Sequence, residues 1–90
     1  MDCDIILYTL STCSHCRAAK KFFSDNGYEY TSVDVDLLQG NEKKDAINEV
    51  KKHNPKVTFP TIIIGEKVFV GFKKSKIKEY IATRISQTPP

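Results

Sequence analysis

The chain has 90 residues, of which 40% are hydrophobic and 28% are charged, and its formal net charge is +3. This composition is typical of one globular domain and argues against a disordered chain or a coiled coil. The mild lysine excess predicts no nucleic-acid binding, because that function calls for a stronger basic stripe interleaved with stacking aromatic residues.

The first four residues, Met1-Asp2-Cys3-Asp4, are acidic and precede no long apolar stretch. They resemble neither a secretory signal nor a transmembrane segment, so we expect a cytoplasmic protein without a membrane partner. In that compartment a cysteine pair is more often catalytic or redox-cycling than a permanent structural crosslink.

The first half of the chain predicts two strands and one helix. Residues 5–8 form a short, continuous apolar run that is typical of a central strand covered on both faces. From about residue 13 to 26 the apolar residues recur at helical spacing, and Asn26-Gly27 then stops this amphipathic helix. Residues 28–35 are rich in β-branched and aromatic side chains and are interpreted as a second strand.

The second half predicts another helix and a hairpin. Gly40-Asn41 offers a cap for a helix over residues 41–53, which carries one apolar stripe. Residues 61–64 and 67–70 flank Gly65-Glu66. Glycine at the first position of a two-residue turn indicates a type II′ hairpin, so these two strands should be antiparallel.

A last helix completes the domain. Its apolar positions are Ile77, Tyr80, Ile81 and Ile85. We expect one domain over residues 1–86 and a loose tail over residues 87–90. The predicted order β-α-β-α-β-β-α indicates a thioredoxin-like α/β fold, in which a four-stranded mixed sheet carries three helices distributed over both faces.

Cys13 and Cys16 form a Cys-x-x-Cys between the first strand and the first helix. This spacing puts both sulfurs on adjacent turns of one helical face, where they can close into a disulfide ring. The free N–H groups and the positive dipole at a helix entrance favour thiolate over thiol. We therefore assign Cys13 as the nucleophile and the deeper Cys16 as the resolving thiol, with no bound cofactor besides their redox-active disulfide.

The neighbouring residues leave alternatives open. A zinc site is disfavoured because there is no second Cys-x-x-Cys, and His15, His53 and Cys3 fit no common ligand spacing. We assign His15 to tuning the thiol–thiolate equilibrium of the motif as a nearby cation, the alternative being that it is exposed and idle. Arg17 and Lys20 either add positive potential near the motif or are simply solvated.

With these elements placed, the chain resembles the glutaredoxin family over nearly its whole length. Three motifs carry the resemblance: Tyr8-Thr9-Leu10-Ser11-Thr12-Cys13-Ser14-His15-Cys16, Thr58-Phe59-Pro60, and Gly71-Phe72 ahead of the last helix. In that family the proline matching Pro60 is cis and faces the disulfide, and the residue matching Phe59 offers its backbone to the substrate. The resemblance thus implies a substrate-binding rim of Thr12, Ser14, Thr58, Phe59, Pro60, Gly71, Phe72 and Lys73.

Departures from the family pattern bear on the electron donor. Classical glutaredoxins carry a lysine at the position of Leu10, a Gly-Gly pair at Val70-Gly71 and acidic residues at Lys73 and Lys74. The altered features recognise glutathione in that family. The chain in this respect resembles the glutaredoxin-like redoxins that thioredoxin reductase reduces and that pass electrons to ribonucleotide reductase. Lys73 and Lys74 could still bind glutathione carboxylates, so glutathione stays the alternative donor.

These observations predict a monomeric dithiol oxidoreductase that reduces protein disulfides. The Cys13 thiolate attacks the substrate disulfide, and Cys16 then displaces the reduced substrate from the mixed disulfide. An iron–sulfur module is the rival from another class, because some glutaredoxins bind a cluster across a dimer. Such proteins usually have a single active-site cysteine followed by glycine, whereas Ser14 and Cys16 stand here.

Overall fold

The computed structural model describes the backbone of residues 5–86 and the side chains of residues 5–82. Its elements are β1 (Ile5–Thr9), α1 (Ser14–Asp25), β2 (Thr31–Asp34), a 3₁₀ turn (Val35–Leu37), α2 (Gly40–His53), β3 (Thr61–Ile64), β4 (Lys67–Val70) and α3 (Lys74–Ser86). The predicted order of strands and helices is confirmed. Cys3 and the predicted tail lie outside the described residues.

The four strands form one mixed sheet in the order β2-β1-β3-β4. β1 is parallel to β2, whereas the β1–β3 and β3–β4 pairs are antiparallel. β1 is therefore a central strand, as its continuous apolar sequence predicts. The β3–β4 turn has Gly65 at φ 59°, which suits the first position of the predicted type II′ turn.

One face of the sheet carries the main hydrophobic core, packed beneath α1 and α3. Its buried residues are Ile5, Leu7, Ala19, Phe22, Phe23, Ile62, Ile64, Phe69, Ile77 and Ile81. Side chains alternate along a strand, so Tyr8 points to the opposite face, where it lies within electrostatic range of Glu49 on α2. The helices thus cover both faces of the sheet, as predicted.

Two predicted boundaries were wrong. The second strand covers Thr31–Asp34 and not residues 28–35, because it pairs with only four residues of β1. Tyr28 and Tyr30 precede this ladder and pack their rings on Phe23, at centroid distances of 6.3 and 6.0 Å. Their aromatic character therefore reflects core packing and not strand pairing.

The other correction concerns the start of α2. This helix begins at Gly40, and the extended residue Gln39 precedes it as the N-cap without a side-chain hydrogen bond. The expected cap at Gly40-Asn41 is therefore displaced by one residue. No helix within the part of the chain that the structure describes is long and apolar enough to cross a membrane.

Candidate active site

Strand directions bring four chain segments to one edge of the sheet. β1 and β2 are parallel and both end at this edge. β3 is antiparallel to β1 and begins there, and β4 is antiparallel to β3 and ends there. The cysteine loop, the segment after β2, the segment before β3 and the segment after β4 therefore meet at this edge, which we call the active-site edge.

The cysteine loop is a tight turn followed directly by α1. The Cys13 N–H donates to the Leu10 carbonyl at 3.2 Å, and Cys13 has the extended backbone of an N-cap residue. Its sulfur accepts a hydrogen bond from the Cys16 N–H at 3.2 Å. A cysteine thus occupies the position that usually belongs to Ser, Thr, Asp or Asn, and a backbone donor points at its sulfur.

The second sulfur has a different environment. Cys16 is 0% exposed, whereas Cys13 is half-buried, and both are free thiols in this structure. Burial raises the pKa of the Cys16 thiol to about 12, and its hydrogen bond with Cys13 acts in the same direction. A backbone hydrogen bond with Leu10 and the charge of Lys20 oppose this shift of the Cys16 pKa. Cys16 is therefore a protonated, inward sulfur at neutral pH.

A charged pair lies within electrostatic range of this buried sulfur. The Lys20 ammonium is 2.9 Å from a carboxylate oxygen of Asp34, at the end of β2. The buried Thr9 hydroxyl donates to the same oxygen. The Thr9 hydrogen bond and then the Lys20 ammonium hold the pKa of Asp34 below its ordinary value. Lys20 is thus paired with Asp34. Of the two alternatives that the sequence left open for Lys20, simple solvation is wrong.

Sequence reasoning missed a second carboxylate, at Asp36. Its two oxygens accept hydrogen bonds from the Ser11 N–H at 2.9 Å and from the Ser11 hydroxyl. The hydroxyl, followed by the N–H, lowers the pKa of this exposed Asp36 carboxyl. The contact ties the cysteine loop to the segment after β2. In the sequence, Asp36 directly follows the predicted second strand, and nothing local signals its contact with Ser11.

The Phe59–Pro60 peptide bond is cis, as the family resemblance implies. Pro60 is buried, and its carbonyl accepts the Gly71 N–H at 2.8 Å. Gly71 has φ 88°, a left-handed conformation that strongly favours glycine. The hydrogen bond joins the segment before β3 to the segment after β4, so two of the three sequence motifs meet.

Asn54 organises the loop before Pro60. Its buried side-chain amide donates to the carbonyl and hydroxyl oxygens of Thr58 and to the hydroxyl of Thr61, at 3.2, 2.9 and 3.1 Å. The Thr61 hydroxyl also donates to the Thr58 carbonyl at 2.8 Å. Within this loop Val57 has φ 50°, an uncommon conformation for a β-branched residue, and its N–H donates to the Asn54 carbonyl at 2.8 Å. Sequence gave no signal for this network.

The remaining predicted site residues differ in exposure. Four of them are exposed, namely Thr12, Ser14, His15 and Lys73. Two are half-buried, Phe59 and Phe72. Thr58 is exposed, although its polar atoms join the Asn54 network. The Phe72 ring packs on Phe22 of α1 at a centroid distance of 5.8 Å. Phe72 therefore links the rim to the core. Lys73 precedes α3, and its carbonyl accepts the Ile77 N–H at 2.9 Å.

Metal ligands are not clustered among the residues described. No group of three or more His, Cys, Asp or Glu side chains within that part of the chain is arranged to hold a metal ion. His53, whose spacing in the sequence fits no common set of zinc ligands, lies at the end of α2 with its ring 3.3 Å from Glu49.

A thioredoxin-like fold with a Cys-x-x-Cys at a helix entrance, and a cis-proline at the same edge of the sheet, defines a class of redox proteins. The glutaredoxin family model matches residues 5–69. The chain belongs to the glutaredoxin family, so the resemblance stated from sequence is confirmed.

Individual relatives agree with this assignment. The chain is 47% identical to methanoredoxin from Methanosarcina acetivorans, whose crystal structure aligns with a TM-score of 0.81 over 84% of this chain and 81% of that one. It is 27% identical over 85 residues to the glutaredoxin-like protein NrdH of Salmonella typhimurium, covering 94% and 91% of the two chains.

A mammalian relative matches a shorter part. The mitochondrial glutaredoxin-2 of Mus musculus is 31% identical over 68 residues, which make up 74% of this chain and 41% of the mouse protein. This chain therefore spans about two fifths of that relative's length.

Proposed function

We propose that this glutaredoxin-family protein is a dithiol oxidoreductase that reduces disulfides in proteins. The observation that carries the proposal is the unequal environment of its two sulfurs, half-buried at Cys13 and fully buried at Cys16. A nucleophile must reach an external disulfide, whereas a resolving thiol needs to reach only the first sulfur. The arrangement suits that division of roles.

The reaction proceeds by two thiol–disulfide exchanges. The Cys13 thiolate attacks one sulfur of the substrate disulfide and expels the other as a thiolate. Cys16 then loses its proton and attacks the Cys13 sulfur, so that the second substrate sulfur leaves as a thiolate. Both substrate thiolates take up protons from solvent. The substrate gains two electrons, and the protein is left with a Cys13–Cys16 disulfide.

The substrate docks on the active-site edge beside Cys13. Phe59 and Phe72 are half-buried there, and Val70 at the end of β4 is 39% exposed. These residues offer apolar contact area at this edge of the sheet. Because the Pro60 carbonyl is already occupied by Gly71, the free backbone groups of Phe59 are the ones available to an extended substrate segment.

Thioredoxin reductase is the proposed electron donor, and a disulfide of ribonucleotide reductase is the proposed physiological substrate. Support comes from Leu10, an apolar residue at the mouth of the loop, and from the exposed Lys73 and Lys74 at the start of α3. Neither position supplies the charge that glutathione meets in classical glutaredoxins. Glutathione is the second candidate donor, favoured by the same lysines, which could pair with its carboxylates.

A single-turnover reaction tests the proposal. Fully reduced protein is mixed with excess protein disulfide, and both the thiols released and the intact mass of the protein are measured. We expect two substrate thiols per molecule and a product lighter by two hydrogens, with the disulfide mapped to Cys13 and Cys16. A protein that keeps its mass and releases no thiols would refute the proposed function.

A further inference from the structure

The Lys20–Asp34 pair lies where the proposed function needs a charge. Cys16 and Lys20 are four residues apart on α1, so their side chains lie one above the other on the same helix face. The Lys20 ammonium is 2.9 Å from Asp34, and the two side chains are only 26% and 24% exposed. The cation is thus held against the body of the protein, within electrostatic range of the buried Cys16 sulfur.

Three elements fix the position of this cation. Asp34 ends β2, and Thr9, which ends β1, donates its hydroxyl to the carboxylate oxygen that also binds Lys20. The Thr9 hydroxyl also lies 3.3 Å from the Val33 carbonyl. Because Thr9 is fully buried and paired with Asp34 in the β1–β2 ladder, the carboxylate has little freedom to move.

The same helix provides a contrast. Lys21 pairs with Asp25 at 3.1 Å, but these side chains are 77% and 59% exposed. An exposed pair of this kind contributes little to stability. The Lys20 pair differs because a third residue anchors it and a buried thiol lies on the same face.

Resolution of a mixed disulfide requires Cys16 to react as a thiolate. Burial opposes that ionisation, since a charged sulfur loses its solvation inside the protein. An opposite charge nearby offsets the cost. We propose that Lys20, positioned by Asp34 and Thr9, stabilises the Cys16 thiolate while it resolves the mixed disulfide. This inference rests on the proposed dithiol function and assigns Lys20 to its second step.

The assigned step is balanced within the proposed reaction. The Cys16 thiol gives its proton to solvent, and its electron pair forms the bond to the Cys13 sulfur. The bond between Cys13 and the substrate sulfur breaks, and that sulfur leaves with the electron pair and is protonated by solvent. Lys20 takes no part in bond making or breaking and acts only through its positive charge.

Stopped-flow absorbance with an aromatic disulfide, 5,5′-dithiobis(2-nitrobenzoate), measures the two exchange steps separately. All proteins carry Cys3→Ser, because the Cys3 thiol would also release thionitrobenzoate. Attack by Cys13 then releases the first thionitrobenzoate, and resolution by Cys16 releases the second. For Lys20→Met we expect a first phase within about twofold of wild type and a second phase slowed about tenfold, the lower end of the range for a nearby opposite charge. Lys20→Gln, which keeps a hydrogen-bond donor, should be slowed equally, whereas Lys20→Arg should retain most of the wild-type rate.

Two controls test whether the slowing of the second phase comes from the Lys20 charge acting on Cys16. Lys21→Met removes a neighbouring charge from the exposed side of α1 and should change neither phase. In a Cys16→Ser background only the first phase remains, and adding Lys20→Met should leave its rate unchanged. Thermal unfolding of each variant shows whether it is folded, and the contrast between the Gln and Arg variants keeps the test valid if the Met variant is unstable.

The outcomes are distinguishable. A second phase as fast as wild type in the Met and Gln variants would overturn the inference and leave the proposed function intact. Slowing of the first phase in the Cys16→Ser background would also overturn it, because Lys20 would then act on Cys13. Absence of any first phase in the wild-type protein would instead refute the proposed function.

Discussion

The entrance of α1, residues 12–15, and the layer beneath it are only one helical turn apart but differ in the burial and the hydrogen bonding of their sulfurs. Cys13 at the entrance is half-buried, and a backbone N–H points at its sulfur. In the layer beneath, Cys16 is fully buried and its pKa is raised. The fold, and not the residue type, therefore gives the two sulfurs different exposure, and their proposed roles as nucleophile and resolving thiol rest on that difference.

The largest expected effect comes from removing each sulfur in turn. Cys16→Ser should accumulate a mixed disulfide through Cys13. Cys13→Ser should react roughly a thousandfold more slowly or worse, because the remaining thiol is buried and its thiolate is scarce at neutral pH. Intact mass and peptide mapping after challenge with a disulfide substrate decide this.

A control variant and a contradicting outcome complete the cysteine test. Cys3→Ser serves as the control and should leave turnover nearly unchanged. An adduct found on Cys16 in preference to Cys13 would reverse the assignment of roles and, with it, the contrast between entrance and buried layer.

The second-largest expected effect is on the choice of electron donor, which depends on the residues of the substrate-binding rim. We expect reduction by NADPH with thioredoxin reductase to exceed reduction by glutathione with its reductase by about two orders of magnitude. Losing a charged hydrogen bond costs roughly 1.5–3 kcal/mol, and two are missing at Leu10 and Lys73. Steady-state NADPH oxidation with each system measures the ratio.

A gain of function sharpens this prediction. The double variant Leu10→Lys with Lys73→Asp restores the charges of classical glutaredoxins and should raise glutathione turnover by about tenfold or more. Equal rates with the two donors in the wild-type protein would return the chain to the glutathione-dependent members of the family.

A smaller effect is expected from His15, which is exposed in the first turn of α1 beside Cys13. A cation there stabilises the reduced pair, so His15→Val should lower the reduction potential. A tenfold change in the equilibrium constant corresponds to about 30 mV, and we expect a shift of that order. Redox titration against a glutathione or thioredoxin couple measures it.

The chain offers a matched control for this variant. His53→Val changes the histidine at the end of α2, which pairs with Glu49 on the opposite face of the sheet. It should leave the potential at its wild-type value. A His15→Val potential equal to or above wild type would mean that charge at the entrance does not set the redox balance.

The smallest expected effect is on the pH dependence of stability, and it comes from Asp34 beside the buried layer. The pKa of Asp34 is lowered in the fold, so its ionised form stabilises the native state. That contribution is complete above the unfolded carboxyl pKa and is lost as the pH falls below about 4 through the folded pKa. Asp34→Asn should cost about 1 kcal/mol at pH 7, and its difference from wild type should shrink in acid.

Urea unfolding at neutral and acidic pH measures this difference. Asp25→Asn removes the exposed partner of Lys21 and should change stability little at either pH. A constant gap between wild type and Asp34→Asn across that pH range would show that the carboxylate charge contributes nothing to stability.

Local signals explain what the sequence determined by itself. The apolar spacing on α1, the Gly65-Glu66 turn and the Cys-x-x-Cys are each contained within a few residues, so short-range geometry fixes their meaning. The helices, the hairpin and the two candidate sulfurs were predictable for that reason. The cis bond at Pro60 was predictable only through the family resemblance.

Long-range pairing decided the rest. Thr9 and Asp34 are 25 residues apart and Lys20 and Asp34 are 14 apart, so they meet only when β2 pairs with β1 and α1 packs over the sheet. The short extent of β2 likewise depends on how many β1 residues are available to it. Burial of Cys16 also arises only when the core closes, because neighbours distant in sequence remove the water that would otherwise stabilise its thiolate.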